Sequence, residues 1–192
     1  MLEKLPTAVG RALRAARPGM ERLAINDAAL AEVPETIALT SPAFADGGVL
    51  PTRCTADGEG LSPPLDWAGV PDAAAEVVLL IEDADSPTPY PLVHAIVWRL
   101  PPGDGSLGEG AMPAERGIGT QPAMGVNSLM RIGYLPPDPP PGHGPHRYAF
   151  QVFALRTPLT IDTAAPGRTE LIDALNAAAI AKGRLVGTYE RP

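Results

Sequence analysis

Two of the chain's three histidines fall within the seven residues Gly142-His143-Gly144-Pro145-His146-Arg147-Tyr148, beside two glycines and a tyrosine. Upstream, Glu82-Asp83-Ala84-Asp85-Ser86-Pro87 closes an apolar run with carboxylates, and His94 follows shortly after. Scarce titratable groups gathered at loop–strand junctions point to one small polar site. Three chemistries use such a set. In the first, ring N–H groups of His94 and His146 and the hydroxyl of Tyr148 donate to a phosphate-like anion. Gly142 and Gly144 would let backbone amides turn toward it. Asp83 would repel the anion, so its expected role is to accept the second N–H of a histidine and fix its tautomer. Asp85 and Arg147 suit mutual pairing, and His143, Asp85, Pro87 and Gly144 are placed at the rim. The second chemistry is metal binding through His143-x-x-His146 and Asp83. The histidines flank Gly144-Pro145 rather than a helical turn, so no metal or other cofactor is expected. The third is acid–base work on a phosphoester by an Asp–His pair. No Gly-x-Ser-x-Gly elbow and no phosphate-binding P-loop accompanies it, and nothing beside Cys54 marks that thiol as a nucleophile, so the reading favours binding over catalysis.

These residues need strands to position them. Val77-Val78-Leu79-Leu80-Ile81 has the length and branching of a buried central strand; Leu92 to Leu100 and Tyr148 to Leu155 read as two more. Strict alternation puts His94, Ile96 and Trp98 on one face, and His146, Tyr148, Phe150 and Val152 on one face of theirs. Antiparallel neighbours would bring Asp83, His94 and His146 to one rim. Pro136-Pro137-Asp138-Pro139-Pro140-Pro141 should be stiff and extended, bracing the histidine segment. Thr169 to Lys182 reads as a helix capped by Thr169 and ended by Gly183.

At the other end, Leu2, Leu5, Val9, Leu13, Ala16, Met20 and Leu23 recur at helical steps, with a break expected at Pro18-Gly19. This gives an N-terminal extension over 1–35, whose stripe calls for a surface to cover it, on the main domain or in a homodimer. Residues 25–35 read as a polar linker or short helix, and 36–192 as one domain.

Composition narrows the function classes. The 24 prolines and 20 glycines suit short strands and rigid turns rather than a helical bundle. One cysteine excludes an internal disulfide. Residues 1–25 hold five basic groups against two acidic ones, which leaves ten basic and twenty acidic groups of the 15 and 22 in the whole chain. A body this acidic offers no footprint for nucleic acid. There is no apolar run long enough for a transmembrane segment and no signal-peptide core, so a cytoplasmic location is expected.

The motifs together resemble the phosphatidylethanolamine-binding protein family, in its bacterial branch of Raf-kinase-inhibitor-like proteins. Leu61-Ser62-Pro63-Pro64-Leu65-Asp66-Trp67 followed by Gly69-Val70-Pro71, the acidic stretch to Pro87, His94, the Gly142 to Phe150 segment, and Leu185-Val186-Gly187-Thr188-Tyr189 are similar to the family's motifs, in order. Ala84 and Ala95 depart from them, standing where the family has a proline and a tryptophan. The resemblance covers about Ala38 to Arg191 and leaves residues 1–35 without a counterpart. It implies a mainly β, antiparallel sandwich with peripheral helices, a cis peptide before Pro87, and a shallow pocket at one end for phosphate, phosphoethanolamine or a similar head group. Such a pocket, with Asp83, His94, His146 and Tyr148 at its centre, would serve a non-catalytic small-anion binder. The alternatives are regulation of a protein partner through a phospho group and weak phosphoester hydrolysis. Affinity would rise as pH falls through about 6.5, where histidines charge.

Overall fold

In a computed structural model, residues 6–161 and 163–191 are described, so Leu2 and Leu5 of the N-terminal pattern lie outside the described residues. In chain order the main elements are α1 (Thr7–Leu13), β1 (Ala38–Thr40), β2 (Leu65–Ala68), β3 (Glu76–Asp83), β4 (Leu92–Leu100), β5 (Gly105–Leu107), β6 (Ala123–Met124), β7 (His146–Leu155), α2 (Arg168–Ala178) and β8 (Ala179–Tyr189). The fold is mainly β, with two sheets of antiparallel strands and helices at the periphery. One sheet has the order β1-β2-β5 and the other β6-β4-β3-β7-β8. The apolar run ending at Ile81 is the middle strand of the larger sheet and is buried along its whole length, which is why it lacks an alternating pattern.

The two faces of the larger sheet are covered differently. Val77, Leu79, Ile81, Tyr148, Phe150 and Val152 point toward the smaller sheet, against Leu39, Leu65 and Trp67. Val78, Leu80, Ile96, Trp98 and Phe153 point the other way and are covered by Leu171 and Leu175 of α2 and by Leu23, Ile25 and Leu30. Residues 20–30 form three 3-10 turns whose apolar side chains seal the outer face, where the sequence reads as the end of a helical stripe and, from residue 25, as a polar linker or short helix.

Two helix expectations are corrected. The C-terminal helix stops at Ala178, and Ala179 to Lys182 already pair with Leu155 to Phe153 as the start of β8. Gly183 is therefore no helix cap: it lies in mid-strand, where a Cβ would run into the Ile37 carbonyl. The buried Lys182 ammonium donates to the carbonyls of Ile25 and Leu30, anchoring the 3-10 turns. At the N-terminus α1 is only seven residues long, and Val9 and Leu13 remain 39% and 38% exposed rather than packing inward. The helix seats its Gly10 face on the backbone of Pro141 and His143, an approach that any side chain at Gly10 would block. The helix ends at Leu13, before the break expected at Pro18-Gly19, and 3-10 turns follow; Gly19 has φ +90° and its N–H donates to the Ala84 carbonyl. The cis peptide bond among the described residues lies at Gln121–Pro122, not before Pro87.

Candidate functional site

The ends of β3, β4 and β7 meet at one rim because β3 pairs antiparallel with both neighbours, setting Asp83 opposite Leu92 on one side and Tyr148 on the other. His94 reaches that rim through an irregularity that alternation does not foresee. Ile81 pairs with Ala95, but the next residue, Glu82, pairs with Val93, so His94 is the extra residue of a β-bulge. Val93 and Ile96 therefore both belong to the outer face, while the His94 ring turns to the inner one. There it meets Tyr148 edge-on, with centroids 5.1 Å apart. Without the bulge His94 would share the face of Ile96 and Trp98 and would be lost to the site.

A cavity of about 280 Å³ opens at this rim, at the small end of the range for ligand pockets. Its polar lining includes Asp83, His94, His146 and Asp138, and its apolar walls include Leu92, Leu135 and Pro87. The His94 Nδ1–H donates to the Leu135 carbonyl at 2.5 Å, leaving Nε2 with a lone pair and no partner. The buried Tyr148 hydroxyl has no partner either. Burial depresses the His94 pKa below its ordinary value, against the pull of the Asp83 carboxylate, so the ring stays neutral. Burial and then Asp83 push Tyr148 well above the ordinary phenol value, so it keeps its proton. The pair thus presents one acceptor and one donor.

His146 is differently engaged. Its Nδ1 donates to Asp83 Oδ2 at 2.7 Å, the tautomer-fixing contact expected of Asp83, and its Nε2 meets His143 Nδ1 at 2.7 Å. Both ring nitrogens are occupied, so in this arrangement neither His94 nor His146 holds a free N–H toward the cavity. His143, fully buried, donates from Nε2 to the Leu13 carbonyl at 2.9 Å. The two histidine rings face each other instead of converging on a metal, and among the described residues no group of three or more His, Cys, Asp or Glu side chains is arranged to hold one.

Asp85 is fully buried and spent on structure: it accepts from Arg147 Nε and Nη2 at 2.7 Å each and from the Arg147 backbone at 2.9 Å, and pairs with Arg17 at 3.1 Å. Burial would raise its pKa, but the two guanidinium groups hold it below the usual carboxylate range. Gly142 and Gly144 adopt φ of +75° and +92°, but the Gly142 and His143 amides donate to Arg191 and Pro140 carbonyls and not to the cavity. Pro87 lines the cavity, and the Ser86 hydroxyl is shared with Thr88 at 2.6 Å. The proline-rich loop is braced by Arg191, which bonds Asp138, the Pro139 carbonyl and Asp57.

Residues that sequence reasoning treats as an appendage also reach this region. Arg17 donates to the carbonyls of His143 and Pro145, both at 2.7 Å, and the guanidinium groups of Arg14 and Arg17 stand over Gly144. The one sequence signal for this contact was a glycine, Gly10, inside a helical pattern.

Among the described residues no helix is long and apolar enough to cross a membrane. The sequence model described as phosphatidylethanolamine-binding protein matches residues 40–190. A UPF0098 protein of Methanothermobacter thermautotrophicus is 35% identical over 153 residues, covering 80% of this chain and 98% of that one. A Mycobacterium tuberculosis relative with the provisional lipoprotein name LppC is 38% identical over 156 residues, covering 81% and 73%. Among solved structures, the phosphatidylethanolamine-binding protein homolog CT736 of Chlamydia trachomatis aligns with a TM-score of 0.72 at 34% identity, over 82% of this chain and 99% of that one.

Proposed function

This chain belongs to the phosphatidylethanolamine-binding protein family, and we propose that it binds a small phosphate-bearing ligand, a phosphomonoester in its hydrogen-bearing form, without turning it over. The observation that carries the reading is a pair of buried, unpartnered polar groups: His94 Nε2, whose ring lines a cavity of about 280 Å³, and Tyr148 Oη, whose ring lies edge-on to His94 just behind that lining. Buried polar groups are nearly always satisfied, so two orphans on neighbouring rings call for a ligand that supplies both an acceptor and a donor. A singly protonated phosphate has both: a P–O oxygen to accept from Tyr148 and a P–OH to donate to His94. The carboxylates of Asp83 and Asp138 in the lining disfavour a dianion and work in the same direction. Leu92, Leu135 and Pro87 would hold the carbon part of the ester.

Binding is favoured over hydrolysis because the serine and threonine hydroxyls lining the cavity, Ser86 and Thr88, bond to each other and not to a histidine. The test is an NMR titration of the histidine and tyrosine ring signals with phosphate, phosphoethanolamine and sulfate at about pH 6 and about pH 8. The dianion of a phosphate monoester takes up a proton near pH 6, so affinity for phosphoethanolamine should rise on acidification. Inorganic phosphate, which keeps a P–OH at both pH values, should change less, and sulfate, which carries no proton, should stay weak. Equal binding of sulfate, or phosphoethanolamine affinity that is flat across the two pH values, would overturn the donor–acceptor reading. A phosphopeptide bound far more tightly than either small ligand would move the role to regulation of a protein partner.

A further inference from the structure

Three hydrogen bonds run in series from the cavity wall to the N-terminal arm. His146 Nδ1 meets Asp83 Oδ2 at 2.7 Å, His146 Nε2 meets His143 Nδ1 at 2.7 Å, and His143 Nε2 meets the Leu13 carbonyl at 2.9 Å. Three such bonds need three protons. The Leu13 oxygen can only accept, an ionised Asp83 can only accept, and two neutral imidazoles carry two protons between them. The series is complete only when it holds one proton more, as a carboxylate beside an imidazolium or as a carboxylic acid beside two neutral rings.

We infer that this surplus proton latches the N-terminal arm, residues 6–17, onto the Gly142–Pro145 segment behind the binding cavity. When the proton leaves, one bond of the three must fail. The carboxylate–imidazole bond is the strongest, so His146 keeps its Nδ1–H for Asp83 and accepts at Nε2. His143 then turns its single proton to Nδ1, and its Nε2 lone pair is left facing the Leu13 oxygen. That contact is repulsive, and the arm loosens as pH rises.

The surroundings agree on where the proton sits. Arg17 Nη2 lies 3.4 Å from His143 Nδ1, a position suited to donation into a lone pair there, so it favours the latched form and opposes the tautomer change that loosens it. Burial, then the neighbouring His146, depress the His143 pKa, so that ring stays neutral and can accept at Nδ1 while donating from Nε2. The other charged or titratable groups facing the series are Arg14 from the arm, the Asp85–Arg147 pair, and His94 and Tyr148 on the cavity side, with Asp138 and Arg191 beyond. Arg17 adds bonds to Pro145, His143 and Asp85 that do not depend on the series, so the arm loosens without being released. Residues 6–17 lie outside the segment matched by the family, 40–190, which makes the latch an addition to the family domain.

Hydrogen exchange of the arm amides in the full chain reads the latch with no ligand present; only its influence on affinity rests on the proposed phosphomonoester reading. Between about pH 6 and about pH 8.5, after correction for intrinsic exchange, protection of residues 8–17 should fall about tenfold, the worth of one such bond. Protection of β7 should not change. In His143→Gln the side-chain amide donates to Leu13 whatever the pH, so the arm should be equally protected at both. Unchanged wild-type protection, or a pH dependence that survives in His143→Gln, overturns the latch. Should that variant fold poorly, ring nitrogen spectra of the wild type decide: the His143 proton moves from Nε2 to Nδ1 as pH rises, and an Nε2–H form at both values overturns the proposal.

Discussion

Glu82 and Asp83 are adjacent in β3 and project to opposite faces of the larger sheet, yet their surroundings differ in kind. Glu82 is fully buried, and its oxygens accept from the Ala24 N–H at 2.8 Å, Gln151 Nε2 at 2.8 Å and Arg168 Nε at 2.6 Å. Each of these groups has its partner, although Trp98 Nε1 on the same face has none among the described residues, and together they tie the N-terminal turns and α2 to the sheet. On the Asp83 face the same strand end leaves His94 Nε2 and Tyr148 Oη unpaired and holds two histidines in a series one proton short of completion when neutral. Satisfied polar networks specify structure, and unsatisfied ones beside a cavity mark where structure has been left open for a ligand.

The largest effect should come from breaking the satisfied side. Glu82→Ala strands the Ala24 amide, the Gln151 side chain and a mostly buried guanidinium, and should cost about 3 kcal/mol in urea unfolding. Phosphate affinity of the folded protein should stay within about twofold of wild type. A loss below about 1 kcal/mol, or an affinity that collapses with it, would erase the distinction between the faces.

Asp85 extends the comparison around the turn, since it lies close to Asp83 but is paired like Glu82. Its folded pKa lies below the ordinary value, so its stabilisation is fully present above about pH 4 and is lost as pH falls through the folded value. Asp85→Asn should cost about 2 kcal/mol at neutral pH and flatten the acid limb of the stability curve. An acid limb of unchanged slope would mean that Arg147 and Arg17 do not stabilise the carboxylate.

How legible these faces are in the sequence follows from what each depends on. The three long strands declare themselves through branched apolar runs, and the rim follows from their antiparallel pairing. The face of His94 does not, because one extra residue in β4 reverses alternation and nothing in Leu92–Leu100 announces a bulge. The outer face is hidden for another reason. Leu23 reads as the end of a helical stripe and Ile25 and Leu30 as part of a linker, because short 3-10 turns leave no regular apolar period, although all three are buried. The arm misleads in the opposite sense: its apolar stripe suggests an inward face, whereas the contact is made by Gly10 and two arginines.

The open side can be probed with a much smaller perturbation. Tyr148→Phe removes a buried hydroxyl that has no partner, so stability should change by no more than about 0.5 kcal/mol. If that hydroxyl donates to the ligand, phosphate affinity should still fall about tenfold. A stability loss above about 1.5 kcal/mol would mean that the hydroxyl is satisfied in solution, and the two faces would then differ less than their geometry implies.

The smallest effect sharpens the comparison furthest, because it tells whether His94 accepts or donates. Its folded pKa is depressed by burial, so the unfolded chain takes up a proton that the folded one refuses. The neutral ring's contribution to stability is therefore full above about pH 6.5 and declines as pH falls below it, and His94→Gln should remove that part of the slope, about 1 kcal/mol or less. A hydrogen-bearing phosphate donating to Nε2 needs the lone pair, so bound phosphate should suppress protonation of His94 further. An anion without a donor would do the reverse and draw a proton onto the ring. Following the His94 ring nitrogens from about pH 7 to about pH 5 with and without phosphate separates the two: a ring that charges at higher pH when phosphate is bound would reassign His94 from acceptor to charged donor and restore the simpler anion pocket.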